Sequence, residues 1–173
     1  NLTLFNPSIG ITSQIVPTEI DNVYRKRLLQ GEVHDENAHI LGGVSGHAGV
    51  FSTASDIGSY AQMMLNKGLW KGRRIFKDEQ VGQFTELHHL PIDSERTLGW
   101  DTPSRNGKSS AGDLFSTATY GHLGYTGTSL WIDPENEIIV VLLTNRVHPT
   151  RERGDIYGIR REFYTKVMET LLN

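Results

Sequence analysis

The sequence predicts an α+β fold, an antiparallel sheet packed with helices, and three observations predict it. Glu137 to Thr144 is a continuous apolar run rich in branched residues, as a strand needs. It follows a second β-rich run, Thr128 to Ile132, across Asp133-Pro134-Glu135-Asn136. That tetrapeptide reads as a turn, with proline presetting φ at its second position. Finally, Ile156, Ile159, Phe163, Val167 and Leu171 recur at helical spacing. Neighbouring strands on a short turn, followed by an amphipathic helix, make α+β architecture.

The other elements follow in order. Pro7, Gly10 and Pro17 interrupt the apolar pattern of residues 1–40, which continue through a mixed-charge run, Asp21 to Arg27, and a polar stretch, His34-Asp35-Glu36-Asn37. This region reads as loop with at most short helices, the kind of segment that packs on something or shapes a site. Gly42 to Phe51 carries four glycines in eight residues, and a substrate-facing loop and a plain connector fit it equally. Thr53-Ala54-Ser55-Asp56 fits a capping box. Ile57, Tyr60, Ala61, Met64 and Leu65 then share a helical face, and Gly68 is a C-terminal stop. Residues 77–87 read as a short helix with Val81 and Phe84 inward. Leu98 to Asp101 reads as a short strand, residues 102–115 as loop, and Thr117 to His122 as a strand. The run from Glu137 reads as buried on both faces. Residues 1–173 are expected to form one domain, irregular over 1–48 and regular over 49–173.

Composition excludes several functions. The net charge is −3 without a basic cluster, which argues against a nucleic-acid partner. No apolar run approaches the ~18 residues of a membrane span. The absence of cysteine removes disulfides, thiolate metal sites and cysteine nucleophiles together. Asn1 to Phe5 lacks the pattern of a signal peptide, and the chain begins without Met, which suits a processed or excised piece.

The chemistry-bearing candidates are few. The seven histidines, His34, His39, His47, His88, His89, His122 and His148, match no metal motif, and no metal or cofactor is expected. Neither Gly-x-Ser-x-Gly nor Ser-x-x-Lys occurs. Ser45-Gly46-His47 and Ser104-Arg105-Asn106 are triplets of a kind that chance supplies in glycine-rich or polar loops. The better signal is Tyr120 to Ser129, where Gly121, Gly124 and Gly127 interrupt a strand beside His122. Glycine weakens a strand unless something must approach its backbone, so a site and an edge strand with a glycine bulge both fit.

Two stretches carry a family resemblance. Gly49-Val50-Phe51-Ser52-Thr53-Ala54-Ser55-Asp56 resembles the strand-to-helix junction of class C β-lactamases and related penicillin-recognising serine hydrolases. Gly121-His122-Leu123-Gly124-Tyr125-Thr126-Gly127-Thr128, with Trp131-Ile132-Asp133-Pro134 and the apolar strand to Asn145, resembles their third motif. That motif is Lys-Thr-Gly in most β-lactamases and His-x-Gly in several esterases and D-aminopeptidases. The resemblance spans about residues 40–172 and implies a β-lactamase/transpeptidase-like fold. Position by position, His122, Leu123 and Gly124 take the motif's three places, and the Tyr125 backbone N–H becomes an oxyanion donor. Ser45 and His47 would border the mouth of the site, and Leu123 and Thr126 would contact substrate. An ester, amide or D-amino-acid peptide substrate is implied, as is a periplasmic or extracytoplasmic location.

The family's nucleophile motif, Ser-x-x-Lys, and its second motif, Tyr-x-Asn or Ser-x-Asn, precede the region matched here. Ser104-Arg105-Asn106 has the second motif's letters but lies after the first helix. The resemblance therefore implies an incomplete domain, the C-terminal portion, inactive alone and partnered by the missing N-terminal half. An imidazole at His122 is only partly charged near neutrality, which suits a β-lactam carboxylate less than lysine does. A non-catalytic module binding cell-wall-type peptides or a protein partner, and a histidine-based metal hydrolase, are the competing functions.

Overall fold

The computed structural model describes residues 2–87, 94–104, 109–152 and 154–173. The chain forms two compact units, each built from separated stretches. The first comprises Asn1–Ile57, Tyr125–Thr128 and Leu143–Gly154, and the second Gly58–Gly124, Ser129–Leu142 and Asp155–Asn173.

The first unit is short on regular structure. A 3₁₀ turn covers Ile9–Gln14. Strand β1 (Ile20–Asp21) pairs antiparallel with β2 (Arg27–Leu28), Ile20 opposite Leu28. The mixed-charge run between them folds around Asp21, whose carboxylate accepts the N–H groups of Val23, Tyr24 and Arg25 at 2.9–3.0 Å. Those backbone bonds, from Arg25 first, hold the Asp21 carboxyl well below the usual carboxylate range. Arg25 pairs with Asp21 and donates to the Val33 and His34 carbonyls at 2.6 Å each. Helix α1 (Glu36–Ile40) starts at Asp35, whose carboxylate accepts the Ala38 N–H at 2.7 Å.

Helix α2 (Ala54–Leu65) begins where the sequence places it. Thr53 Oγ1 accepts the Asp56 N–H at 3.2 Å, one half of the expected capping box. The Asp56 carboxylate accepts instead from the Leu2 N–H at 2.6 Å and the Thr3 hydroxyl at 3.3 Å. At the other end the Lys67 N–H bonds to the Met64 carbonyl and the Gly68 N–H to the Met63 carbonyl, a Schellman closure. Here Lys67, not glycine, takes the first left-handed position (φ 51°). Gly68 is needed too, because a Cβ there would lie 2.4 Å from the Phe76 carbonyl oxygen.

In the second unit, β3 (Leu69–Trp70) and β4 (Arg73–Arg74) form a hairpin that sequence reading passed over. Lys71 and Gly72 both have positive φ, as a tight two-residue turn requires. Helix α3 (Asp78–Thr85) buries Val81, but Phe84 is 50% exposed rather than inward. Leu98–Asp101 is a turn, with the Thr97 N–H bonded to the Trp100 carbonyl. Only Asp101 bridges onward, to Gly121.

The main sheet is antiparallel in the order β5 (Tyr120–Leu123), β6 (Ser129–Asp133), β7 (Ile138–Leu142). Its register places Gly121 opposite Trp131 and Trp131 opposite Val140. Side chains alternate across the strands, so the two faces carry different clusters. Tyr120 and Ile132 pack with Ala61, Met63 and Met64 of α2 and Val81 of α3. Trp131 and Val140 pack with Ala111 and with Tyr164 of helix α4 (Ile156–Leu171) on the other face. The sheet thus lies between helices. Among the described residues strand β7 pairs with β6 alone, and of its residues only Val140 is buried. The expectation of full burial on both faces fails because the clusters on the two faces cover Ile139 on one and Ile138 and Leu142 on the other only in part. The Asp133 turn is anchored inside. Burial alone would raise its carboxyl, but bonds from Ser116 and Asn136 outweigh that and hold it low.

Candidate active-site elements

Strand β5 owes Gly121 to packing. A Cβ there would sit 2.2 Å from the Leu130 carbonyl oxygen and 2.4 Å from the Trp131 ring. That glycine admits a neighbouring strand's indole and needs no ligand to explain it. His122 shares the sheet face of Tyr120 by strand alternation and is exposed. Its Nδ1 lies 3.0 Å from the Leu123 carbonyl, which can only accept, so Nδ1 carries the hydrogen.

Gly124 is held by the terminal helix. Arg160 Nη2 donates to its carbonyl at 2.7 Å, and the Arg160 residue is only 5% exposed. A trans peptide points its C=O and N–H in opposite directions, so this bond also sets the direction of the Tyr125 N–H. Arg160 explains why α4 turns differently from expectation. The buried stripe is Arg160, Tyr164 and Met168, one residue on from the predicted series, while Ile159 is 56% and Leu171 57% exposed. Tyr164 also bonds the buried Ser129 hydroxyl at 2.7 Å.

Within the first unit, residues 125–127 are tied to residues 144–146. Arg146 Nε donates to the Tyr125 carbonyl at 2.7 Å and the Arg146 N–H to the Thr126 carbonyl at 2.9 Å. The Thr144 hydroxyl donates to the Gly127 carbonyl at 2.6 Å. The Tyr125 ring lies 4.3 Å from the Arg146 guanidinium and stacks on His34 with centroids 5.7 Å apart. His34 Nε2 is 2.9 Å from Glu19 Oε2, and Arg151 bridges Glu19 and Glu36. The Arg151 guanidinium first, then its backbone N–H and His34, hold the Glu19 carboxyl down to about 2. Tyr125 therefore rests on His34, which is linked through Glu19 and Arg151 to Glu36.

The glycine-rich loop holds a second constellation. Ser45 Oγ is 2.7 Å from His47 Nδ1, and His47 Nε2 is 2.9 Å from Asp35 Oδ1. The Ala38 backbone N–H first, then His47, hold the Asp35 carboxyl low. Gly43 and Gly49 shape this loop, both at positive φ, and a Cβ on Gly49 would meet the Gly43 carbonyl oxygen at 2.5 Å.

The predicted site residues thus divide between the units. His122, Leu123 and Gly124 lie in the second, and Ser45, His47, Tyr125 and Thr126 in the first. Ser45 and His47 are brought into contact. Sequence reading missed Asp35, Arg160, Arg146 and the Glu19–Arg151 pair. Arg160 lies beside the series that reads as the apolar stripe of α4, so that series did not point to it, and nothing in the spacing marks Asp35 as the partner of His47. His88, His89, Arg105 and Asn106 lie outside the described residues. Among the described residues no group of three or more His, Asp or Glu side chains is placed to hold a metal, and no helix is long and apolar enough to cross a membrane.

An antiparallel sheet between helices, closed by a C-terminal helix, is an α+β arrangement of the kind β-lactamase-like proteins have. The chain belongs to the β-lactamase family, whose profile matches residues 5–163. It is 44% identical over 163 residues to a protein named "Putative D-alanyl-D-alanine carboxypeptidase" from Salmonella enteritidis PT4, and equally so to the protein of that name from Salmonella gallinarum. Each match covers 84% of this chain and 37% of the relative, so the chain spans little more than a third of their length. A β-lactamase structure from Mycobacterium bovis superposes with a TM-score of 0.58 at 19% identity, covering 78% of this chain and 53% of that one. A "Putative 6-aminohexanoate-dimer hydrolase" from Bacillus anthracis gives 0.51 at 22%, covering 72% and 30%. At these identities the likeness is one of fold.

Proposed function

We propose that the protein containing this chain is a serine acyl hydrolase of the class C-like, His-x-Gly type. It cleaves a D-amino-acid peptide, ester or amide through an acyl-enzyme. The names of its Salmonella relatives favour a peptide ending in D-alanyl-D-alanine. The nucleophile, in Ser-x-x-Lys, is supplied by a segment outside these residues. This chain contributes the wall of the site. His122 binds or shares a proton with the substrate's carbonyl or carboxylate end, Gly124 lets the substrate lie along the strand edge, and the Tyr125 N–H stabilises the oxyanion. Leu123, Thr126, Ser45 and His47 make substrate contacts.

The observation that carries this reading is the hold on the Gly124–Tyr125 peptide. The Arg160 bond to the Gly124 carbonyl fixes the peptide plane, and an oxyanion donor must be fixed before the charge develops. The test is reconstitution. The 173-residue chain alone should not turn over acyl substrates, while the longer protein carrying Ser-x-x-Lys should hydrolyse D-alanyl-D-alanine peptides in a serine-dependent way. A longer protein inert to every ester, amide and D-peptide tried would overturn the proposal.

A further inference from the structure

We propose that Asp35, His47 and Ser45 form a hydrogen-bonded relay that makes the Ser45 hydroxyl a base-assisted nucleophile, reactive toward activated acyl and phosphonyl donors. The direction of each bond follows from chemistry. The Asp35 carboxylate is ionised at neutral pH and can only accept, so His47 Nε2 carries the hydrogen of the 2.9 Å contact. In a neutral imidazole the other nitrogen is then a lone-pair acceptor. His47 Nδ1 therefore accepts the Ser45 O–H at 2.7 Å. A nucleophile on a base, with the base oriented by a third group, is the activated-serine arrangement. The two ring nitrogens are exchanged relative to the usual triad, but either nitrogen can take a proton while the other is held by a carboxylate.

Backbone and side-chain bonds hold the relay's frame. Asp35 is fixed as the N-cap of α1, and the loop is closed by the Gly43 N–H on the Ala38 carbonyl and by Asn6 Nδ2 on the Gly42 carbonyl, both 2.8 Å. The His47 side chain is 53% exposed, so a donor can reach it. All these residues belong to the first unit. In the step itself, Ser45 Oγ bonds to the donor's carbonyl carbon as its proton moves to His47 Nδ1. The bond to the leaving oxygen then breaks, and that oxygen takes the proton from His47. The products are an acyl-Ser45 ester and a free alcohol, with His47 neutral again; with a fluorophosphonate, Ser45 Oγ bonds to phosphorus, the P–F bond breaks, and fluoride leaves with the proton from His47. The expected outcome is one group transferred per chain.

A fluorophosphonate probe on the 173-residue chain, with the labelled peptide mapped by mass spectrometry, tests this directly. Label should appear on Ser45 at one equivalent and vanish in Ser45→Ala. Positioned bases contribute about 10²–10⁴-fold, so His47→Gln and Asp35→Asn should each slow labelling by about tenfold or more. Asp35→Asn retains a capping oxygen for the Ala38 N–H, and circular dichroism checks that the fold is kept. An unlabelled Ser45, or wild-type labelling rates in both folded variants, would overturn the proposal. Neither outcome depends on whether the longer protein hydrolyses D-peptides.

Discussion

Glu19 shows what a buried charge does to this molecule. Its side chain is 7% exposed and its carboxyl is held to about 2 instead of 4.5, by Arg151 first. A depressed carboxylate contributes stability that is full above the unfolded value and is lost as pH falls through the folded one. The window is therefore pH 4.5 down to about 2. At ~1.36 kcal/mol per pH unit, the contribution is at most about 3 kcal/mol. Urea unfolding across that range should show stability falling with acid, and Glu19→Gln should flatten the fall. A variant with an unchanged pH slope would place the effect elsewhere. Arg151→Met should cost more at neutral pH, about 3–5 kcal/mol, because it strands Glu19 without its partner. At the same scale, His122 is exposed and its side chain bonds only its neighbour's carbonyl among the contacts described. His122→Ala in the longer protein should thus lower kcat/KM for D-peptides by about tenfold or more while leaving the melting temperature within a degree or two. Wild-type kinetics would remove His122 from the site.

At the level of elements, periodicity located more than it oriented. The helix from residue 54, the turn at Asp133 and the strands on either side of it were legible because apolar spacing and turn chemistry are local. The buried face of α4 was not. Two series lie side by side on it: the one that reads as the apolar stripe contains no charge, and the other contains Arg160. The fold buries the other, because Arg160 reaches the Gly124 carbonyl and Tyr164 reaches Ser129. Likewise the candidate motif at residues 122–124 was readable as letters, but the supports of Tyr125 were not. His34, Glu19 and Arg151 meet it only through the tertiary fold, and no local pattern encodes that. The helix face gives a sharp test. Met168→Ala removes a fully buried side chain and should cost about 2–5 kcal/mol. Ile159→Ala, more than half exposed, should stay within about 0.5 kcal/mol. Chemical denaturation of both variants checks the pair, and equal losses would return the buried face to the series at 159, 163 and 167.

At the scale of the whole chain, the two compact units are interleaved in sequence. The chain leaves the first unit after Ile57, returns to it at Tyr125 and again at Leu143, and ends in the second. Neither unit is contiguous in sequence, so a cut at Tyr125 or Leu143 divides both units whichever part is kept. The first unit is also poor in core. Leu29, Val33, Ala38 and Val147 are buried in it, whereas Ile9 is 95%, Val23 86%, Ile40 69% and Leu41 66% exposed. Scattered exposed apolar residues are ordinary, but so many on a unit with so little regular structure leave it short of burial for its size. The relatives are far longer than this chain, and in the proposed enzyme such residues are expected to be covered by additional chain. The 173-residue chain alone is therefore expected to bind an apolar dye such as ANS and to lose the first unit before the second in proteolysis. The longer protein should bind markedly less dye per molecule. A 173-residue chain that is monodisperse, melts in one cooperative step and leaves the dye dark would contradict this, because it would show that these residues already bury what they need.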